Sequence, residues 1–124
     1  TAMLPESARA VMGVPHPSGR AAMKMLEREG FNFDCYIDIF DGGPTMTAPT
    51  DQIRTVRESR ELVLAEVADE VEGPNMMLAH GRLAGFAACC GDVRIAEDET
   101  ATLGRETAAL LGIEPGDTFL AMGR

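Results

Sequence analysis

The chain has 124 residues, 45% of them hydrophobic but only 5% aromatic, and carries a formal net charge of −9 at pH 7. That length and apolar content allow one ordinary domain or two small units with an aliphatic and Met-rich core. The acidity argues against a general binder of the phosphate backbone, which needs a clustered basic face, so no nucleic-acid partner is expected. No apolar run approaches the roughly 18 residues of a membrane span and no secretory signal opens the chain, so a cytoplasmic protein without a membrane partner is expected. Cys35, Cys89 and Cys90 follow no metal-ligand spacing. The neighbours Cys89 and Cys90 should point to opposite faces of a strand, and all three read as reduced thiols, with no metal site. Thr1 rather than Met stands first, and the chain reads as the C-terminal portion of something longer.

In chain order, Pro5 followed by Glu6 to Met12 predicts a short helix closed by Gly13. Val14-Pro-His-Pro17 must be extended, because a residue preceding proline is pushed out of the α region. A second helix is predicted from about Ser18 to Glu29, with Ala22, Met25 and Leu26 as its apolar stripe. Arg20, Lys24, Glu27 and Arg28 are placed on its water-facing side. Gly30 suits a left-handed C-terminal cap with Phe31 folding back onto the last turn.

Phe33 to Phe40 alternates as a strand, ended by Asp41-Gly-Gly-Pro44. Thr50 is expected to cap a short helix. Strands are expected at Glu61–Val67, Met76–Ala79 and Gly85–Cys90, with a fourth at Val93–Ala96. A helix is expected over Thr100–Leu111, then a sharp turn at Gly112-Ile-Glu-Pro-Gly-Asp117 and a closing strand, Thr118–Met122. The domain junction is placed between about residues 44 and 60, with units of 1–48 and 49–124.

One histidine stands out chemically. His16 is held between Pro15 and Pro17 just before a helix, and a neutral imidazole can take or give a proton near neutral pH. An exposed loop histidine without a role is the competing reading. Asp38 and Asp41 are candidates to bind a guanidinium, against the competing reading that they shape a turn.

The run His16-Pro, ten residues, Glu27-Arg-Glu-Gly-Phe31, then Tyr36-Ile-Asp-Ile-Phe-Asp-Gly-Gly-Pro-Thr45 resembles the arginine N-succinyltransferases. Leu4-Pro-Glu-Ser-Ala-Arg-Ala-Val-Met-Gly13 and Ile53-Arg-Thr-Val-Arg-Glu-Ser-Arg60 resemble the same family, and the similarity is strongest over residues 3–60. The resemblance implies an α+β fold, in which residues 1–48 supply the C-terminal helix and strands of an acyl-CoA N-acyltransferase domain. It implies transfer of succinyl from succinyl-CoA to the α-amino group of L-arginine, in arginine catabolism. His16 then matches the family's proton donor, which lies in a Val-His-Pro segment. Here the tripeptide is Pro15-His16-Pro17, and Gly19 stands where threonine is usual. Succinyl-CoA would be a co-substrate, with no cofactor bound tightly, and an oligomer or association with a missing N-terminal part is implied.

No glycine-rich pyrophosphate loop occurs in the chain, so by itself it is expected to be inactive and to bind CoA poorly. Residues 49–124 are expected to form a small acidic β-barrel-like domain of double-psi type with one helix. Leu111-Gly-Ile-Glu-Pro-Gly-Asp-Thr-Phe-Leu120 resembles the closing element of such barrels. It also resembles swapped-hairpin DNA-binding modules, but Glu97, Asp98, Glu99, Glu114 and Asp117 outnumber the basic side chains there. The alternative to the enzyme reading is a non-catalytic interaction or regulatory module built around the barrel.

Overall fold

The computed structural model describes residues 3–40 and 42–123. They form two compact units, Thr1–Arg57 and Glu58–Arg124. The division falls after Arg57, and side-chain bonds tie residues 54 and 55 to the end of the second helix.

The first unit opens with helix α1 (Glu6–Arg9). A 3-10 turn, Pro17–Gly19, runs directly into α2 (Arg20–Arg28). Helix α2 stops in a Schellman arrangement: the Phe31 N–H donates to the Leu26 carbonyl and the Gly30 N–H to that of Glu27. Gly30 has φ +98°, and a Cβ there would lie 2.7 Å from the Gln52 carbonyl oxygen, so both conformation and space demand glycine. The apolar stripe differs from the expected one. Met23 and Leu26 are half-buried, whereas Met25 is 62% exposed.

Strands β1 (Asn32–Ile37) and β2 (Pro44–Thr47) form an antiparallel pair. β1 is irregular, with Cys35 at φ +57° inside a register shift between Phe33 and Ile37. The strand expected to reach Phe40 ends at Ile37, because the Asp38 carboxylate accepts the Phe40 N–H at 2.7 Å and bends the chain. Ile39 and Phe40 are consequently 89% and 92% exposed. After β2 come a 3-10 turn, Thr50–Gln52, and helix α3 (Arg54–Arg57). Thr50 is not a cap: it is the first residue of that turn, and Pro49 holds the cap position without a side-chain bond.

The second unit is a closed five-stranded barrel in the order β3-β6-β5-β4-β7. Its strands are β3 (Arg60–Ala68), β4 (Asn75–His80), β5 (Ala87–Ile95), β6 (Thr100–Gly104) and β7 (Thr118–Gly123). β3 and β6 run parallel; every other ladder is antiparallel. Alternation sends Leu62, Leu64, Met76, Leu78, Val93 and Phe119 inward, each burial stabilising by roughly 1.5–3 kcal/mol. Helix α4 (Arg105–Leu111) covers this core with Ala108 and Leu111. A Cβ at position 91 would meet the Thr107 side chain at 2.8 Å, so Gly91 allows α4 to lie close on β5.

Two expectations about this unit change. The two strands expected over 85–90 and 93–96 are one continuous strand, β5, which runs from Ala87 to Ile95; Gly85 instead ends a 3-10 turn. Thr100–Gly104 is a strand rather than the first turns of a helix, because it inserts between β3 and β5 and buries Ala101, Thr102 and Leu103 in succession. Cys89 is half-buried against the core and Cys90 is exposed, and burial pushes the Cys89 thiol up. All buried residues among those described belong to the barrel unit, and the first unit has none.

Candidate functional site

His16 has φ −56° and ψ 146°, the extended conformation that Pro17 imposes on it. Its carbonyl accepts the Gly19 N–H at 2.9 Å, fixing the start of the 3-10 turn. Its side chain caps the same turn: Nδ1 lies 2.7 Å from the Ser18 hydroxyl and accepts the Ser18 N–H at 3.3 Å. A backbone N–H can only donate, so Nδ1 is the acceptor and the neutral ring carries its proton on Nε2. Two prolines and one serine thus orient an exposed imidazole with a donor free to act.

His16 lines an open cavity of about 930 Å³ within the first unit. The helical side contributes Arg20, Met23 and Leu26, and the hairpin side contributes Gly42, Gly43, Pro44 and Thr45. Gly13 ties the two sides together, its N–H donating to the Gly42 carbonyl at 2.8 Å. Arg20, placed on the water-facing side by its helical phase in the sequence, is exposed and also lines the cavity. Asp38 also lines the cavity, with one carboxylate oxygen engaged in the turn at Phe40. Asp41, the other candidate, lies outside the described residues.

Glu29 was missed by the sequence reading. Its carboxylate accepts the Thr55 hydroxyl at 2.6 Å, the Thr55 N–H at 3.1 Å and Arg54 Nε at 3.2 Å. These bonds, led by the Thr55 hydroxyl, hold its carboxyl below the usual glutamate value. A Glu three positions after Leu26 and next to a capping Gly resembles ordinary helix-end charge; only the fold shows its partners. The second histidine, His80, belongs to the barrel and donates from Nδ1 to the Thr118 carbonyl at 2.8 Å. Among the described residues no group of three or more His, Cys, Asp or Glu could hold a metal ion. No helix among them is long and apolar enough to cross a membrane.

Together these features define a two-unit α+β protein in which a fixed imidazole donor faces a cavity between a helix and a hairpin. Residues 1–55 match the family model described as arginine N-succinyltransferase beta subunit, and residues 60–122 match that of its C-terminal domain. The chain belongs to the arginine N-succinyltransferase family.

An arginine N-succinyltransferase of Yersinia enterocolitica is 39% identical over 116 residues, which is 92% of this chain and 33% of the relative. The arginine N-succinyltransferase subunit alpha of Pseudomonas aeruginosa is 37% identical over 114 residues, 92% of this chain and 34% of that one. The subunit beta of the same organism is 51% identical over 65 residues, 52% of this chain and 19% of that subunit. The structure of arginine/ornithine succinyltransferase subunit AI from Pseudomonas aeruginosa superposes with a TM-score of 0.81 at 35% identity, covering 99% of this chain and 37% of that one. The chain therefore spans about a third of the length of the relatives it matches.

Proposed function

We propose that this chain acts as part of a longer enzyme that transfers succinyl from succinyl-CoA to the α-amino group of L-arginine, with His16 as proton donor. The observation that carries the reading is the orientation of His16: Nδ1 is occupied by Ser18, and the Nε2 donor is left to serve the cavity. The name shared by the relatives supplies the acyl group and the acceptor.

The free amine attacks the thioester carbonyl, forming the new C–N bond and a tetrahedral intermediate. Collapse of that intermediate re-forms the carbonyl and breaks the C–S bond. The departing CoA sulfur takes the Nε2 proton while Nδ1 takes up, through solvent or the Ser18 hydroxyl, the proton lost by the amine, so the ring passes from one neutral tautomer to the other and no imidazolate forms. A thiol with a pKa of about 8.5 is already a fair leaving group, so the donor contributes on the order of 10²–10⁴-fold.

In this reading residues 1–48 supply the closing helix and strands of an acyl-CoA N-acyltransferase fold. The rest of that fold supplies the phosphate-binding loop for CoA. The acidic barrel is a non-catalytic accessory unit. Succinyl-CoA is a co-substrate, no cofactor is held tightly, and the reaction is cytoplasmic. The alpha and beta names of the relatives support association with a homologous subunit.

The test is His16→Ala in the complete enzyme, assayed for release of free CoA thiol with saturating substrates. Turnover is expected to fall by two to four orders of magnitude with folding unchanged. Near-normal turnover would remove His16 from the chemistry and favour a purely interactive module.

A further inference from the structure

The barrel unit carries an exposed surface that the reaction above does not use. The loop between β4 and β5 is braced: Gly81 has φ +81°, and the N–H groups of Gly85 and Phe86 donate to the carbonyls of Arg82 and Leu83 at 3.0 and 3.1 Å. A Cβ at position 81 would collide with the Gly85 carbonyl oxygen, so the turn closes only on glycine. Within this loop Leu83 takes φ +50°, a left-handed conformation that is costly for a leucine, and its side chain is 96% exposed. Holding a large apolar side chain in water on a strained backbone contributes nothing to packing within the barrel. Strain of this kind is kept where a surface is shaped for something outside the unit.

Beside the loop lies an open hollow of about 380 Å³, with exposed Phe86 and Leu120 among its apolar lining. The strand register sets Glu61, Leu120 and Ala79 in one outward row, since Glu61 faces Leu120 across β3 and β7 and Leu120 faces Ala79 across β7 and β4. Two charged side chains line the hollow, Glu61 and Arg82. Both are exposed, and neither has an ion-pair partner among the described residues. The other titratable group there, His80, is already bonded through Nδ1 to the Thr118 carbonyl at 2.8 Å.

One acid and one base on a single hollow discriminate between partners. A uniformly acidic or uniformly basic surface meets a like charge. A second copy presents the same two charges, and a two-fold rotation sets Glu61 of each copy against Arg82 of the other. The same rotation carries each Leu83 towards the opposite hollow, because Leu83 and the hollow share one loop, and such a contact closes on itself as a pair. In a chain of net charge −9, a hollow whose charges cancel also lets two copies meet with little repulsion. We propose that this hollow and the Leu83 loop form the contact between two copies of this chain, with Leu83 as the apolar anchor and Glu61 and Arg82 as reciprocal ion pairs. The inference is independent of the succinyl-transfer chemistry.

The experiment follows the complete enzyme by sedimentation velocity from nanomolar to micromolar concentration, as wild type, Glu61→Arg, Arg82→Glu and an equal mixture of those two variants. Wild type should pair. Each single reversal sets like charges together at both symmetric contacts and should raise the dissociation constant of the pair at least about tenfold. In the mixture one copy brings two acids and the other two bases, so mixed pairs should form with close to wild-type affinity. Leu83→Gly relieves the left-handed strain: it should weaken pairing at least about tenfold, yet unfold in urea no earlier than wild type where both are dissociated.

A wild-type enzyme that stays a single copy throughout would overturn the proposal and leave the hollow to the rest of the longer chain. Unchanged pairing in both reversals would place the contact elsewhere. A loss that the mixture fails to restore would defeat the reciprocal geometry, since a merely structural role predicts no rescue on mixing.

Discussion

The Glu29 carboxylate takes both the hydroxyl and the backbone N–H of Thr55, at 2.6 and 3.1 Å, so one side chain at the end of α2 anchors the start of α3. In a unit with no buried residue among those described, such a tie holds segments that apolar packing does not. Its carboxyl titrates below the ordinary value of 4.5 because the folded state favours the anion. The stabilisation is therefore complete above that value and is lost as the pH falls through the lower, folded-state value. Thermal unfolding of the complete chain, followed by circular dichroism, should show this acid-side loss. Glu29→Gln should melt earlier at pH 7, and the gap to wild type should narrow as the pH is lowered below 4.5.

Gly30 lies next to that anchor and tolerates no side chain. Gly30→Ala combines a φ of +98° with a Cβ 2.7 Å from the Gln52 carbonyl oxygen. It should destabilise the first unit by more than about 1 kcal/mol. Amide exchange of Phe31 and Arg54, whose N–H groups are bonded across this region, should rise first.

Ser18 bonds to His16 on Nδ1, the nitrogen opposite the one that serves the sulfur. Ser18→Ala removes the hydroxyl but keeps the backbone bond, and should lower turnover of the complete enzyme by roughly 2- to 13-fold, the equivalent of one ordinary hydrogen bond. The KM for arginine should hardly move. A pH–rate profile displaced along the pH axis would mark the loss of imidazole positioning, since a merely structural change would lower the rate without moving the profile.

Leu62 and Leu103 are fully buried at the centre of the barrel. Truncation of either to Ala should cost about 2–5 kcal/mol in urea unfolding of the second unit. Met25→Ala, at a 62% exposed site, should stay within about 0.5 kcal/mol. Arg105 reaches Asp69 with both Nε and Nη2, but the side chains are 73% and 83% exposed. Asp69→Ala should therefore change stability by less than about 1 kcal/mol, and the change should shrink in high salt.

Helix α2 could be read from the sequence because its stop is chemical: Gly30 is required locally, whatever the rest of the chain does. Strand β6 could not. Leu103, Thr107, Leu110 and Leu111 fall on one helical stripe, so Thr100–Gly104 merges with α4 in any local pattern. Only pairing with β3 and β5, distant in sequence, separates the two. Ile37-Asp-Ile-Phe40 misled in the opposite direction, since its alternation is that of a strand and its end depends on where one Asp oxygen points.

At the site, His16 was visible through its motif and its flanking prolines. Arg20 was assigned to the solvent side because a charged residue on an amphipathic helix is ordinarily there. It is exposed, and only the fold shows that it lines the same cavity as His16. Glu29 escaped for a related reason: its partners lie 25 and 26 residues further along.

Strand β7 pairs with β3 on one side and β4 on the other. During synthesis, a nascent chain that has reached only Asp117 leaves both of those strands with an open edge and the core lacking Phe119 and Ala121. The barrel can therefore close only after Thr118 to Gly123 have cleared the ribosome tunnel. Until then the exposed edges are a point at which chaperones, or a second nascent copy, can compete for the same hydrogen bonds.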